Sequence, residues 1–127
     1  MPSPITAMAV SLNVADPSAS AAFLVDNFGF GVDMEHDGMV SLSLGEVGCN
    51  VIFLRTGLAT FKPADRSGSA GEGLLLVLVV DGLDDLHAGL EAAGVPVVTP
   101  PETEPWGERF SQYRDPNGLI VQLVQWV

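Results

Sequence analysis

One pattern occurs twice in the sequence and limits the folds available to the chain. Asp16 precedes an apolar helical stretch that Gly29 closes, and Asp81 and Gly94 bracket a second such stretch at the same spacing. Aspartate is a favourable residue just before a helix, and glycine just after one. The 127-residue chain suffices for one domain of ordinary size, so the two copies are predicted to form an internal repeat within a single domain.

Extended segments surround each predicted helix. Residues 8–14 alternate apolar and polar side chains, which is typical of a strand that is covered on one side. The remaining strands are predicted at 31–35, 39–44 and 50–55 in the first half, and at 74–80, 95–98, 109–114 and 119–126 in the second. Each repeat, at about 7–57 and about 74–127, is therefore βαβββ, and a linker rich in Gly and Pro joins them at about 58–73.

This order of elements predicts an α+β fold. The single domain, residues 1–127, is expected to contain two βαβββ repeats that form a curved mixed sheet enclosing a cleft, with the helices on the outer face of that sheet.

Charge and composition exclude several partners. Five Lys and Arg against 16 Asp and Glu give a net charge of −11, which repels nucleic acid and anionic membrane surfaces. The single cysteine, Cys49, cannot form an internal disulfide. The longest apolar stretch, residues 74–80, is too short to span a membrane, and residues 1–4 lack the features of a secretory signal. A cytoplasmic protein without nucleic-acid or membrane partners is expected.

Two motifs resemble a known superfamily. The stretch Glu-Pro-Trp-Gly-Glu-Arg-Phe at 104–110 precedes Asp-Pro-Asn-Gly at 115–118, which lies just before the last predicted strand. Together with the internal repeat, they resemble the vicinal oxygen chelate superfamily of glyoxalase I, extradiol dioxygenases and bleomycin resistance proteins. The Pro-Trp-Gly segment is most similar to the bleomycin-resistance-like branch.

The resemblance implies four metal-ligand positions, two in each repeat. They fall on Ala9, Phe53, Leu75 and Gln122, and only the glutamine has an atom that can coordinate an ion. We therefore predict no metal, no cofactor and no catalytic residue. His36, beside a predicted turn, and His87, beside the leucine stripe of the second helix, are predicted to be solvated surface residues.

Strand parity predicts which residues line the cleft. They combine an apolar wall with a few hydroxyls and amides, which suits a large, weakly polar organic ligand. The predicted ligand-binding residues are Asn13, Ser41, Ser43, Phe53, Leu75, Trp106, Phe110, Gln112 and Gln122. Stacking on a ligand and a structural or dimer contact are equal alternatives for Trp106. Tyr113 and Ser111 are predicted to face the second helix.

For function, the resemblance implies a homodimeric, metal-free protein that sequesters an antibiotic-like natural product, aromatic or cationic, without changing it. Two alternatives remain open. One is an enzyme: either a metal-dependent lyase, isomerase or dioxygenase with another ligand set, or a metal-free catalyst that uses Gln122, Tyr113, Glu108 or His36. The other is an accessory domain that pairs with a partner protein.

Overall fold

The first helix begins and ends at its two predicted capping residues. In the computed structural model, which describes residues 3–127, the Asp16 carboxylate accepts a hydrogen bond from the backbone N–H of Ala19 at 3.3 Å. Pro17 occupies the first helical position, and Gly29 ends the helix in the left-handed conformation at φ 76°. Helix α1 therefore spans Pro17–Phe28, as the capping pattern predicts.

The chain divides into two compact units, residues up to Gly71 and residues from Glu72 onward. In the first unit a four-stranded mixed sheet has the order β1-β4-β3-β2, with β1 parallel to β4 and the other pairs antiparallel. Its strands are β1 (Ala9–Val14), β2 (Gly31–His36), β3 (Met39–Leu44) and β4 (Val47–Arg55). Helix α1 packs against this sheet.

The core of the first unit lies between α1 and one face of its sheet. Leu12, Val40 and Phe53 are in register on three neighbouring strands, and all three are buried. Residues in register share a face of a sheet, so Phe53 belongs to the helix-covered face together with Leu42 and Val51.

This register corrects one predicted site residue. Phe53 is 0% exposed and does not line the side of the sheet away from the helix. The reason is that Val51, Ile52, Phe53 and Leu54 form an unbroken apolar run, so alternation carries no signal there. The residues of β4 that occupy the other face are Ile52 and Leu54, which are in register with Ser11 and Asn13.

The second unit repeats the same plan. Its sheet has the order β5-β8-β7-β6, with β5 parallel to β8, and α2 packs against it. The elements are β5 (Leu75–Val79), α2 (Leu83–Ala92), β6 (Val97–Thr103), β7 (Glu108–Arg114) and β8 (Ile120–Trp126). The predicted α+β class and the βαβββ order of both repeats are confirmed.

Two strand boundaries, the end of β6 and the start of β4, differ from the prediction by three residues or more. β6 continues to Thr103 although it contains Pro100 and Pro101, because it is an edge strand, where a missing N–H is tolerated. β4 begins at Val47, so the turn before it is only Gly45-Glu46.

The predicted linker region contains a short 3₁₀ helix, Ala64–Arg66. No helix within residues 3–127 is long and apolar enough to cross a membrane.

Candidate functional site

The face of the second sheet that lies away from α2 carries four of the predicted ligand-binding residues, namely Leu75, Phe110, Gln112 and Gln122. Helix α2 contacts the opposite face through Arg109, Tyr113 and Gln125. The residues that register and strand alternation place on the face away from α2 are Leu75, Val77, Val79, Thr99, Glu102, Glu108, Phe110, Gln112, Arg114, Ile120, Gln122, Val124 and Trp126. We call this set the helix-free face of the second sheet. The predicted shared face of Leu75, Phe110, Gln112 and Gln122 is confirmed, whereas their binding role remains a prediction.

A chain of side-chain hydrogen bonds crosses three strands on this face. The Thr99 hydroxyl donates to Oε1 of Gln112 at 2.7 Å, and Nε2 of Gln112 donates to Oε1 of Gln122 at 2.8 Å. Gln122 is 9% exposed, so most of its carboxamide is removed from water. Sequence reasoning found both glutamines but missed Thr99, because that residue lies just beyond the strand predicted at 95–98.

Apolar side chains extend this face to the edge strand of the sheet. Leu75, Val77 and Val79 alternate along β5 and are all exposed, whereas Val124 on the neighbouring central strand is buried. Adjacent exposed apolar side chains of this kind are typical of contact surfaces.

Trp106 lies in the tight connection between β6 and β7. The backbone N–H of Glu104 donates to the carbonyl of Glu108 at 2.8 Å. Gly107 has φ 88°, and a Cβ there would lie 2.9 Å from the carbonyl oxygen of Val127, so the connection requires glycine. The Trp106 side chain is 67% exposed.

An acidic side chain lies beside two exposed indoles at this end of the sheet. Nε1 of Trp106 donates to Oε1 of Glu108 at 3.3 Å, and Glu108 is in register with Trp126. Both tryptophans are exposed. An aromatic face next to a carboxylate is suited to planar or cationic groups.

In the first unit, the predicted polar site residues largely bind other parts of the chain. Both hydrogens of the Asn13 amide are used by the linker, since Nδ2 donates to the carbonyls of Arg66 at 3.2 Å and Gly68 at 2.9 Å. The Ser43 hydroxyl donates to Asp33 at 2.8 Å. Ser41 is half-buried on the face away from α1, in register with Ile52. The contacts of Asn13 therefore indicate a structural role.

The first unit also contains a pocket of about 460 Å³ where α1 begins and the β2–β3 hairpin turns. Its charged lining includes Asp16, Glu35, Asp37 and Arg55, and Nη1 of Arg55 lies 3.1 Å from Oδ1 of Asp37. His36 also lines it and is exposed. The sequence pattern does not predict this acidic pocket, because strand alternation indicates the faces of a sheet and not the ends of its strands.

The face of the second sheet under α2 contains a buried polar cluster. The hydroxyl of Tyr113, which is fully buried, lies 2.9 Å from Oγ of Ser111 and 2.7 Å from Nδ1 of His87. His87 is therefore not the solvated surface residue that its position beside the leucine stripe predicts. Burial raises the pKa of the Tyr113 hydroxyl above 10.0, opposed by the hydrogen bond with Ser111 and aided by the charge of Glu91.

The side chains at the expected metal positions do not fit a divalent ion. Ala9 and Leu75 have no donor atoms, and Phe53 lies on the helix-covered face. The residues of β4 on the other face, Ile52 and Leu54, also lack donors. Within residues 3–127 no group of three or more His, Cys, Asp or Glu side chains is placed to hold a metal. Gln122 alone cannot retain such an ion against water.

Comparison with known proteins identifies the family. The Glyoxalase/Bleomycin resistance protein/Dioxygenase superfamily matches residues 6–123, and no curated protein matches the chain. Among solved structures, TioX from Micromonospora sp. ML1 is 26% identical (96% of this chain and 99% of that chain covered, TM-score 0.74). Lactoylglutathione lyase from Agrobacterium tumefaciens is 25% identical (96% and 94%, TM-score 0.77). TnmS3, an antibiotic binding protein from Streptomyces sp. CB03234, is 23% identical (98% and 99%, TM-score 0.75). The chain therefore belongs to the glyoxalase/bleomycin resistance protein/dioxygenase superfamily.

Proposed function

We propose that this protein binds an antibiotic-like natural product on the helix-free face of the second sheet and releases it unchanged. The observation that carries the proposal is the hydrogen-bonded chain of Thr99, Gln112 and Gln122 next to the exposed apolar side chains of β5. Apolar area supplies affinity in such a site, and a few fixed polar groups set the orientation of the ligand.

The fold by itself does not select this function. It is shared by a lactoylglutathione lyase and by an antibiotic binding protein, so the choice depends on the side chains. The superfamily's metal-dependent chemistry needs an ion that polarises the substrate. Since the expected ligand positions carry Ala9, Phe53 and Leu75, binding without reaction is the better supported function, and metal-dependent catalysis is the alternative that the test must exclude.

The two exposed tryptophans support an aromatic or cationic ligand. A planar ligand group stacked on Trp106 or Trp126 would gain about 1 kcal/mol beyond the area that it buries. Glu108, which Trp106 contacts, and the net charge of −11 favour a cationic substituent, mainly by increasing the rate of encounter.

The proposal is tested with a panel of aromatic antibiotics, by isothermal titration calorimetry and by recovery of each bound compound for mass spectrometry. We expect stoichiometric binding and recovery of unchanged compound, with or without added zinc, nickel or manganese. Conversion of a compound that depends on one of these metals would favour the enzyme instead.

A pair of matched variants locates the binding surface. Val79→Asp places a charge on the helix-free face, where Val79 is 67% exposed, and Val47→Asp makes the same change on the first sheet, where Val47 is 62% exposed. We expect Val79→Asp to weaken binding at least tenfold, about 1.4 kcal/mol, because the carboxylate must be desolvated under an apolar ligand. Equal losses in both variants would place the ligand elsewhere.

We also propose that the protein is a homodimer. Leu75, Val77 and Val79 lie on an edge strand and are exposed. A second copy related by a two-fold axis would close off this surface from the other side, so that the ligand lies between the two copies. Sedimentation analysis measures the oligomeric state directly, and a monomer at high concentration would exclude this part of the proposal.

A further inference from the structure

We propose that Gln122 recognises an uncharged hydrogen-bond acceptor on the ligand, such as a ring carbonyl, and that Thr99 sets this preference from two strands away. The inference rests on the proposed function, because it names the ligand chemistry of the same surface.

The order of atoms along the hydrogen-bonded chain fixes its direction. A carboxamide oxygen can only accept and a carboxamide nitrogen can only donate, whereas a hydroxyl can do either. Because Oε1 of Gln112 faces the Thr99 hydroxyl, that hydroxyl must donate. Nε2 of Gln112 then donates to Oε1 of Gln122. The side-chain atom of Gln122 that has no partner among residues 3–127 is then Nε2, which is a donor.

No group among residues 3–127 accepts a hydrogen bond from this nitrogen. Oε1 of Gln122 contacts Gln112 on β7, and the residue in register with Gln122 on β5 is Val77, whose side chain has no hydrogen-bond acceptor. In the same range, the only sealed side-chain polar atom without a partner is the hydroxyl of Thr56, so Nε2 of Gln122 keeps access to solvent. A largely buried amide donor without a protein acceptor is a favourable contact point for a ligand acceptor.

The surroundings of Gln122 favour a neutral acceptor over a carboxylate. Its neighbours in register are Val77 and Gln112, and its neighbours along the same face of β8 are Ile120 and Val124. None of these four carries a charge. Arg114 lies on the same face in register with Ile120, but it is exposed, so a carboxylate at Gln122 would lose hydration for an attraction that solvent screens. The net charge of −11 opposes an anion further. A ketone, quinone or lactam carbonyl on an apolar ring fits these conditions.

Three probes with one ring frame test the inference. Fluorenone carries a carbonyl acceptor, carbazole carries an N–H donor, and fluorene carries neither. We expect the wild-type protein to bind fluorenone about tenfold more tightly than fluorene, the effect of one well-placed hydrogen bond, and carbazole no more tightly than fluorene. Tryptophan fluorescence measures the affinities, and the side-chain N–H signals of Gln122 in nitrogen-15 NMR spectra should shift with fluorenone.

Variants separate the donor from the residue that orients it. Gln122→Glu keeps an acceptor for Gln112 but removes the free donor, so the preference for fluorenone over fluorene should disappear. Thr99→Val removes the hydroxyl that fixes the direction of the chain and should reduce the preference to roughly threefold, while Thr99→Ser restores it. Thr103→Val is the matched control: it removes a hydroxyl on the same strand that contacts Arg109 instead, and the preference should be unchanged.

The outcomes distinguish this inference from the proposed function. Equal affinity of the wild-type protein for all three probes would overturn the inference and leave aromatic binding intact, and tighter binding of carbazole would show that the chain runs in the opposite direction. Failure to bind any of the three while an antibiotic of the panel binds would overturn the inference alone, whereas failure to bind the probes and the antibiotics alike would contradict the proposed function and the inference together.

Discussion

The two units share one topology but differ in what lies beneath their helices. Helix α1 covers an apolar face that contains Leu42 and Phe53, both 0% exposed. Helix α2 covers a face on which Tyr113 and Ser111 bond to each other and Tyr113 contacts His87. The order of strands and helix is therefore compatible with two different cores, one held by packing and the other partly by directed hydrogen bonds.

The opposite faces differ as well. In the first unit the linker is bonded to Asn13, and its Ala70 N–H also donates to the Asn13 carbonyl at 3.1 Å. Within residues 3–127, no linker residue is bonded to the chain of Thr99, Gln112 and Gln122 in the second unit. The donor at the end of that chain, Nε2 of Gln122, has no acceptor in the same range. The first repeat thus uses its amide donor to hold the linker, whereas the second leaves one amide donor without an acceptor among residues 3–127.

The largest predicted effect tests the apolar core of the first unit. Phe53→Ala should lower the free energy of unfolding by about 3–5 kcal/mol, because it leaves a cavity under α1. Ile52→Ala changes the adjacent residue, which is half-buried on the other face, and should cost less than half as much. Urea denaturation measures both. If Ile52→Ala proved the more damaging of the two, the assignment of faces in β4 would be wrong.

Capping and periodicity were sufficient to predict the elements of this fold but not every face. Asp16, Pro17 and Gly29 act locally, so their sequence signal specifies α1 directly. The face of Phe53 depends on which side of an all-apolar strand the helix covers, and the strand itself does not encode that side. His87 is retained near the core by the hydroxyl of Tyr113, a contact between residues 26 positions apart.

Part of the candidate site was predictable for the same reason. Gln112 on β7 and Gln122 on β8 alternate with residues of the opposite face, so strand alternation predicted which face of the sheet carries them. Thr99 joins them only because the edge strand β6 has irregular register with β7, with shifts on both sides of Thr99. Register shifts of this kind depend on tertiary pairing and leave no pattern in the sequence.

The linker contact of the first unit is expected to give the next largest effect. Asn13→Ala leaves the carbonyls of Arg66 and Gly68 without their side-chain donor, so the free energy of unfolding should fall by about 2 kcal/mol. Trypsin should then cut faster after Arg66. Asn50→Ala, on the same face of the same sheet, should change stability by less than about 0.5 kcal/mol. Equal trypsin rates in both variants would separate Asn13 from the linker.

The polar core of the second unit predicts a pH dependence. Because burial raises the pKa of the Tyr113 hydroxyl above 10.0 in the folded protein, the unfolded chain loses this proton first. The stabilisation is therefore complete below pH 10.0 and is lost as pH rises through the folded-state pKa. The chain contains one tyrosine, so tyrosinate absorbance reports Tyr113 alone.

Removing that hydroxyl tests the same contact without titration. Tyr113→Phe should cost about 1 kcal/mol at neutral pH, because Ser111 and His87 lose a shared partner. It should also flatten the loss of stability in alkaline solution. A variant with unchanged alkaline behaviour would show that another group causes the transition.

The smallest predicted effect compares how the two helices begin. Asp16, the residue just before α1, caps that helix with its own side chain. Helix α2 follows Gly82 and has no such cap. Its first N–H, that of Leu83, donates instead to Oε1 of Gln125 at 2.9 Å. Asp16→Ala should cost about 1 kcal/mol, and Gln125→Leu about half as much, because water can replace a half-buried amide. Because Gln125 lies on β8, its loss should also loosen the attachment of α2 to the sheet. Hydrogen exchange at the Leu83 amide in Gln125→Leu should therefore accelerate more than exchange at the Ala19 amide in Asp16→Ala. Equal acceleration at both amides would indicate that the distant cap acts only locally, as Asp16 does.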